Sequence, residues 1–200
     1  EGRSVPERPN ILWICTDQQR FDTLGSAGNS WVRTPGIDRL AASATVFDRA
    51  FCQSPICTPS RGSFLTGRYP RTCRSRQNGA DIPADEVLVT RLLHDAGYVC
   101  GLSGKLHLSA CNPSVCPGTE RRINDGYDIF HWSHDPEDIW LTNEYHQWVR
   151  EKGREVKRPV SSQSKWVRDG APEADHQTTF CSQKAIEFMR NAARFDRPWL

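Results

Sequence analysis

Apolar and polar residues fall into short alternating blocks along the chain. Asn10-Ile11-Leu12-Trp13-Ile14-Cys15 is a continuous apolar run after a proline, the pattern of a strand buried on both faces of a parallel sheet. It runs into the polar segment Thr16-Asp17-Gln18-Gln19-Arg20, and the carboxyl end of such a strand is where ligands bind in open α/β sheets. Thr34 and Pro35 can start a helix with Ile37, Leu40, Ala41 and Ala44 on one face. Val46-Phe47 and Ala50-Phe51 then predict a short strand leading to a turn at Cys57. Val87, Leu88, Leu92 and Leu93 recur at helical spacing, and Gly97 can end that helix. Tyr98 to Ser103 reads as the next strand, ending in Gly104-Lys105-Leu106-His107. From about Asn112 to Lys165 the regularity weakens, and the stretch is expected to be an insertion over the face where a site would lie, with one helix near Trp140 to Glu151. A last amphipathic helix is expected from about Asp175 to Arg194, carrying Phe180, Ile186, Phe188 and Met189. This βαβα order predicts an α/β fold built as a three-layer sandwich.

Composition narrows the class without deciding it. Two hundred residues suffice for a sizeable core, and a hydrophobic fraction of 37% with 25% charged residues is that of a globular protein. A net charge of +2 is too small to argue for nucleic acid. Arg61, Arg68, Arg71, Arg74 and Arg76 are nonetheless crowded together, either as a solvated face or as a rim that attracts an anion. No apolar run is long enough for a transmembrane helix. The chain opens on Glu1 without methionine or an apolar targeting segment, which removal of a signal peptide or trimming of the chain would equally explain. The location expected is periplasmic, secreted or lysosomal, with the cytoplasm left open. The eight cysteines include no C-x-x-C pair, which argues against a zinc ribbon or a thioredoxin-like motif. Cys111 and Cys116 could close a short disulfide loop or remain two buried thiols, while Cys15, Cys52 and Cys100 are expected to be small core residues.

The densest chemistry lies in Cys57-Thr58-Pro59-Ser60-Arg61, continued by Gly62-Ser63-Phe64-Leu65-Thr66-Gly67-Arg68. Pro59 suits the first turn of a helix, so Cys57 stands at a helix mouth, where unpaired N–H groups and the positive end of the macrodipole favour an anion. Arg61 returns to that mouth one turn later, and its flat cation suits an oxyanion. Taken alone, the pentad reads more readily as a buried cysteine before a helix.

The pentad and its continuation resemble the sulfatase signature C-x-P-x-R with L-T-G-[RK], every position of which is filled. Asn10 to Gln18 resembles the N-terminal metal loop N-I-L-x-I-x-x-D-[DQ], with Gln18 where many members have a second aspartate. Gly97 to His107 resembles the second signature G-Y-x-[ST]-x-x-x-G-K-x-H, departing from it at Cys100. The resemblance implies an alkaline-phosphatase-like α/β fold with a mixed, largely parallel central sheet, of which residues 1–200 would be the N-terminal part of one large catalytic domain. It implies sulfate ester hydrolysis, with Cys57 oxidised to formylglycine by a formylglycine-generating enzyme and its hydrate acting as nucleophile. It further implies a divalent cation, Ca²⁺ or else Mg²⁺ or Mn²⁺, held by Asp17, Gln18 and the modified Cys57. Arg61 and Lys105 would neutralise sulfate oxygens, and His107 would act as the base that helps expel sulfate. The family's second metal pair and its leaving-group lysine and histidine are not matched in these residues.

Trp132, Trp140, Trp148 and Trp166 favour a sulfated carbohydrate as substrate, because sugar faces stack on indole rings. Asp175-His176 has the look of a metal pair but opens a predicted helix, and His131 and His134 read as surface residues or substrate contacts. Two alternatives stay open, a phosphonate or phosphodiester hydrolase on the same scaffold and an inactive relative that binds sulfated glycans. Nucleic-acid and membrane partners are not expected.

Overall fold

A computed structural model describes residues 8–136, 140–156, 164–166 and 170–200. The opening residues and two parts of the expected insertion, 137–139 and 157–163, lie outside them. The chain divides into two compact units, Leu12–Cys52 and the remainder.

In the larger unit the α-helices and strands are α2 (Cys57–Thr66), α3 (Val89–Asp95), β1 (Gly101–Gly104), β2 (Ile129–Trp132), α4 (Glu144–Glu151) and α5 (Gln177–Ala192), while α1 (Pro35–Ala41) belongs to the smaller unit. β1 and β2 pair in parallel, Gly101 opposite Ile129 and Gly104 opposite Trp132. On the other edge of β1, Val99 bridges Trp199 in parallel, Gly101 N–H donates to Leu200 O at 2.8 Å, and Ile11 N–H donates to Trp199 O at 2.8 Å. The apolar Trp199-Leu200 segment therefore adds to the sheet beside β1.

Alternation along β1 sets the layers, because successive side chains point to opposite faces. Leu102 and its register partner Phe130 pack on a core of Leu65, Ile82, Leu88, Leu106 and Leu108, which joins α2 and the start of α3 to one face of the sheet. Gly101 faces α5 on the other side, where an added Cβ would come within 2.8 Å of the Phe188 ring. Helix, sheet and helix thus form three layers, as the alternating pattern predicts. A satellite cluster of Tyr145, Val149 and Phe180 fixes α4 to α5. Asn143 caps α4 by accepting from Tyr145 N–H, and His176 Nδ1 caps α5 by accepting from Thr178 N–H.

Several expectations are corrected. β2 lies within the stretch expected as an insertion, and its pairing with β1 makes that part of the sheet. Trp132 and Trp140 are 2% and 3% exposed, with indole N–H groups donating to Glu120 Oε1 and Cys116 O. They are core residues and offer no face to a sugar. Of the two readings left open for Cys111 and Cys116, free thiols are what the structure has, Cys116 buried and Cys111 half-buried.

The strands expected at 10–15 and 46–51 do not form: Ile11 of the first run pairs through its N–H with Trp199 O, but residues 12–15 and 46–51, in the smaller unit, are not in a strand. A strand needs a hydrogen-bonded neighbour, and an apolar run alone does not supply one. α1 (Pro35–Ala41) forms as predicted, but its expected apolar face is not buried: Ile37 and Leu40 are exposed. Cys15 and Cys52 are exposed as well, so of the three cysteines assigned to the core only Cys100 is buried. Among the described residues no helix is long and apolar enough to cross a membrane.

Candidate active site

Cys57 is the first residue of α2, and Ile56 before it is extended. Pro59 removes one N–H from the first turn, where it would have no helical partner, and Asn78 Oδ1 accepts another from Thr58 N–H at 2.9 Å. Ser75 Oγ donates to Thr58 O at 3.1 Å, which ties the same turn to the segment after the helix. Gly62 makes that contact possible, since a Cβ there would lie 2.8 Å from Ser75 Cβ and Oγ. The helix ends at Gly67, whose φ of 66° allows its N–H to reach Ser63 O.

The second signature approaches from the end of β1. Lys105 Nζ lies 3.7 Å from Cys57 Sγ. Arg61, 9% exposed, donates through Nη1 to the Lys105 carbonyl. Three of the residues expected at the site are thereby linked: the Lys105 ammonium reaches the thiol at the helix mouth, and the Arg61 guanidinium holds the Lys105 carbonyl. Such an arrangement can hold an anion and balance charge that accumulates on it.

His107 follows in irregular, buried chain, with a φ of 54° that non-glycine residues seldom adopt. Its backbone N–H donates to Glu120 Oε1 at 2.9 Å, and Leu108 N–H donates to Glu120 Oε2 at 3.1 Å. The imidazole packs edge-on against His134, ring centroids 4.4 Å apart. His134 in turn stacks with Trp132 and meets Trp140 edge-on, so it is a half-buried neighbour of His107. His131 instead pairs through Nδ1 with Glu144 Oε2 at 2.8 Å. Glu120 gave no sequence signal, being one acid in a loop of mixed charges. Burial lifts its carboxyl above the usual range, opposed by the donors on it and by the nearby Arg61 charge.

The arginine cluster does not form one cationic rim. Arg68 Nη1 donates to Glu86 Oε2 at 2.6 Å, and Arg74 Nη2 contacts both Asp85 Oδ1 at 2.6 Å and Glu86 Oε1 at 3.1 Å. These acids neutralise two of the five arginines. Asp175 is likewise committed, to Arg154 and Lys152, which sets the Asp175-His176 pair aside as a cation site.

Asp17 and Gln18 belong to the smaller unit, where both are exposed and Gln18 has a φ of 51°. Their carboxylate and amide oxygens on consecutive residues are hard donors suited to a divalent cation, though two residues are fewer than a full shell. Among the described residues, no group of three or more His, Cys, Asp or Glu side chains is placed to hold a metal ion.

The sulfatase family model matches residues 9–200. The chain belongs to the sulfatase family. An ulvan-active sulfatase of Formosa agariphila is 39% identical over 136 residues, covering 68% of this chain and 27% of that protein. Human steryl-sulfatase is 35% identical over 135 residues, 62% of this chain and 23% of its own length. The crystal structure of the phosphonate monoester hydrolase of Agrobacterium radiobacter superposes with a TM-score of 0.73 at 26% identity, covering 96% of this chain and 40% of that one. The α/β architecture is thus that of sulfatases and their hydrolase neighbours. This sulfatase chain spans about a quarter of the length of the curated relatives it matches.

Proposed function

We propose that the protein is a sulfuric ester hydrolase whose nucleophile is made from Cys57. The observation that carries this reading is the Lys105 ammonium 3.7 Å from Cys57 Sγ at the mouth of α2, with Arg61 one turn on. With Cys57 matured to formylglycine, one hydroxyl of the aldehyde hydrate attacks sulfur and the bond from sulfur to the alcohol oxygen breaks. The alcohol leaves with a proton, and the sulfuryl group remains on the hydrate oxygen. His107 then takes the proton of the second hydroxyl, the carbonyl reforms, and the carbon–oxygen bond to sulfate breaks, so water need not attack a sulfate ester. Arg61 and Lys105 neutralise the oxygens on sulfur as charge shifts onto them. A divalent cation, which we assign to Asp17 and Gln18 as oxygen donors and to calcium before magnesium or manganese, would acidify the hydrate when bound. Maturation makes a formylglycine-generating enzyme an obligatory partner.

The substrate we favour is a sulfated carbohydrate, a preference that rests on the ulvan-active relative at 39% identity. Likeness to a phosphonate monoester hydrolase, together with the Asp17-Gln18 pair, supports a second reading as a phosphonate or phosphodiester hydrolase. The full chain, produced with a maturation enzyme, should be assayed on an aryl sulfate, a sulfated polysaccharide, a steroid sulfate and an aryl phosphonate monoester. Higher kcat/KM on the sulfates is expected. A strong preference for the phosphonate ester would transfer the assignment to the second reading.

A further inference from the structure

We infer that Glu120 is a positioning residue for His107, a side-chain clamp on the backbone N–H groups of the segment after β1. The inference rests on the proposed role of His107, but its structural half can be tested without that role.

Residues Leu106, His107, Leu108 and Ser109 are all buried, yet none belongs to a helix or strand. Buried irregular chain must find acceptors for its N–H groups, and each one left unmet carries a desolvation penalty. Glu120 supplies acceptors to two consecutive ones, from His107 at 2.9 Å and Leu108 at 3.1 Å, and takes a third donor from Trp132 Nε1 at 2.9 Å. The carboxylate is itself only 3% exposed. A buried carboxylate is costly unless its oxygens are met by donors, and here both are.

The placement matters because it falls on one residue. His107 has a φ of 54°, a conformation that persists in a non-glycine residue only when its surroundings impose it. Two hydrogen bonds from one carboxylate fix the peptide planes on both sides of the His107 Cα, and so the direction in which its imidazole leaves the chain. The Leu108 carbonyl is held in turn by Ile82 N–H at 2.7 Å, and Leu106 and Leu108 anchor in the α2 core. From the opposite side, Arg61 holds the Lys105 carbonyl. The stretch from Lys105 to Leu108 is therefore pinned at both ends by charged side chains of other segments, and only the Glu120 end governs His107. Trp132 ties the carboxylate to β2, so the clamp is referenced to the sheet.

Glu120→Gln keeps the shape but sets an amide NH₂ against one of the two backbone N–H donors. The test uses the matured full chain with two independent readouts. Amide hydrogen exchange at His107 and Leu108 should accelerate on the order of a hundredfold, while the amides of α5 stay protected. In turnover of a sulfate ester, kcat should fall at least about tenfold with KM changed by less than about threefold, since the misplaced group acts after substrate is bound. Glu120→Asp, which keeps the charge on a shorter arm, should restore part of the amide protection and of kcat relative to Gln. Unchanged exchange at the two amides in Glu120→Gln would overturn the clamp. Faster exchange with an intact kcat would overturn its role in positioning. An inactive wild-type protein would instead defeat the proposed sulfatase reading, and the exchange result would still decide whether the clamp exists. Should Glu120→Gln not fold, the same exchange measurement on Glu120→Asp decides, with protection equal to wild type contradicting the clamp.

Discussion

Residues 56–67 carry Cys57 and residues 105–109 bring Lys105 to its sulfur, yet the first is a helix whose backbone largely satisfies itself and the second is irregular chain satisfied from outside. In the first, the contributions needed from elsewhere are small: Asn78 at one orphan donor, Ser75 at one carbonyl, and a glycine that lets Ser75 approach. In the second, Arg61 holds one peptide and Glu120 the next two N–H groups. A helix mouth is a rigid place for a nucleophile because its geometry is fixed by repetition. An irregular loop can aim a base in a direction no helix or strand offers, but only when other side chains hold it there. The two arms meet at Arg61, which belongs to the helix and anchors the loop.

Substitutions that act on one arm at a time test this contrast, and the largest effect is expected at the nucleophile. Cys57→Ala should lower kcat on a sulfate ester by at least about a thousandfold while thermal stability changes little, since nothing else can form the hydrate. Arg61→Ala comes next, because it removes a substrate-facing charge and the anchor of the loop together. A fall of about a hundredfold in kcat/KM is expected, accompanied by a loss of stability that Cys57→Ala does not show. If Arg61→Ala changed only KM, the guanidinium would serve substrate alone and the loop would be held without it.

How much of this was legible in the residues depends on which arm is considered. The helix at Cys57, its proline and its closing Gly67 follow from local rules, and so does the strand ending at Gly104. Lys105 and His107 could be found only by pattern, and the approach of Lys105 to Cys57 needed the fold. Glu120 was invisible because its role comes from a long-range contact to backbone atoms, which leaves no periodicity. β2 was missed although Tyr127 to Trp132 carries apolar residues at strand density, because prolines, aspartates and tryptophans around it suggested an insertion. The tryptophans misled for a related reason: an indole suits a sugar or a core equally, and burial at 2% and 3% decides for Trp132 and Trp140. In residues 12–52 the hydrophobic runs were read as strands and a buried helix face, but no residue of that unit is buried. Apolar pattern describes what a segment can bury, and the partner decides whether it does.

Two smaller effects sharpen the account of the helix arm. Gly62→Ala forces a Cβ to within 2.8 Å of Ser75 and should cost about 2 kcal/mol in unfolding free energy, read by chemical denaturation. Asn78→Ala removes the acceptor for Thr58 N–H and should cost about 1 kcal/mol, with kcat altered less than by Arg61→Ala. If Asn78→Ala disturbed turnover as strongly as Arg61→Ala, the helix mouth would depend on outside support as much as the loop does.

The most direct test of the central claim is peptide-level mass analysis across Cys57, made on the matured full chain and paired with sulfate ester turnover by the same preparation. Formylglycine at position 57 is expected, with activity rising in proportion to the converted fraction and absent from the unconverted protein. Full sulfate ester turnover by protein in which Cys57 remains a thiol would contradict it.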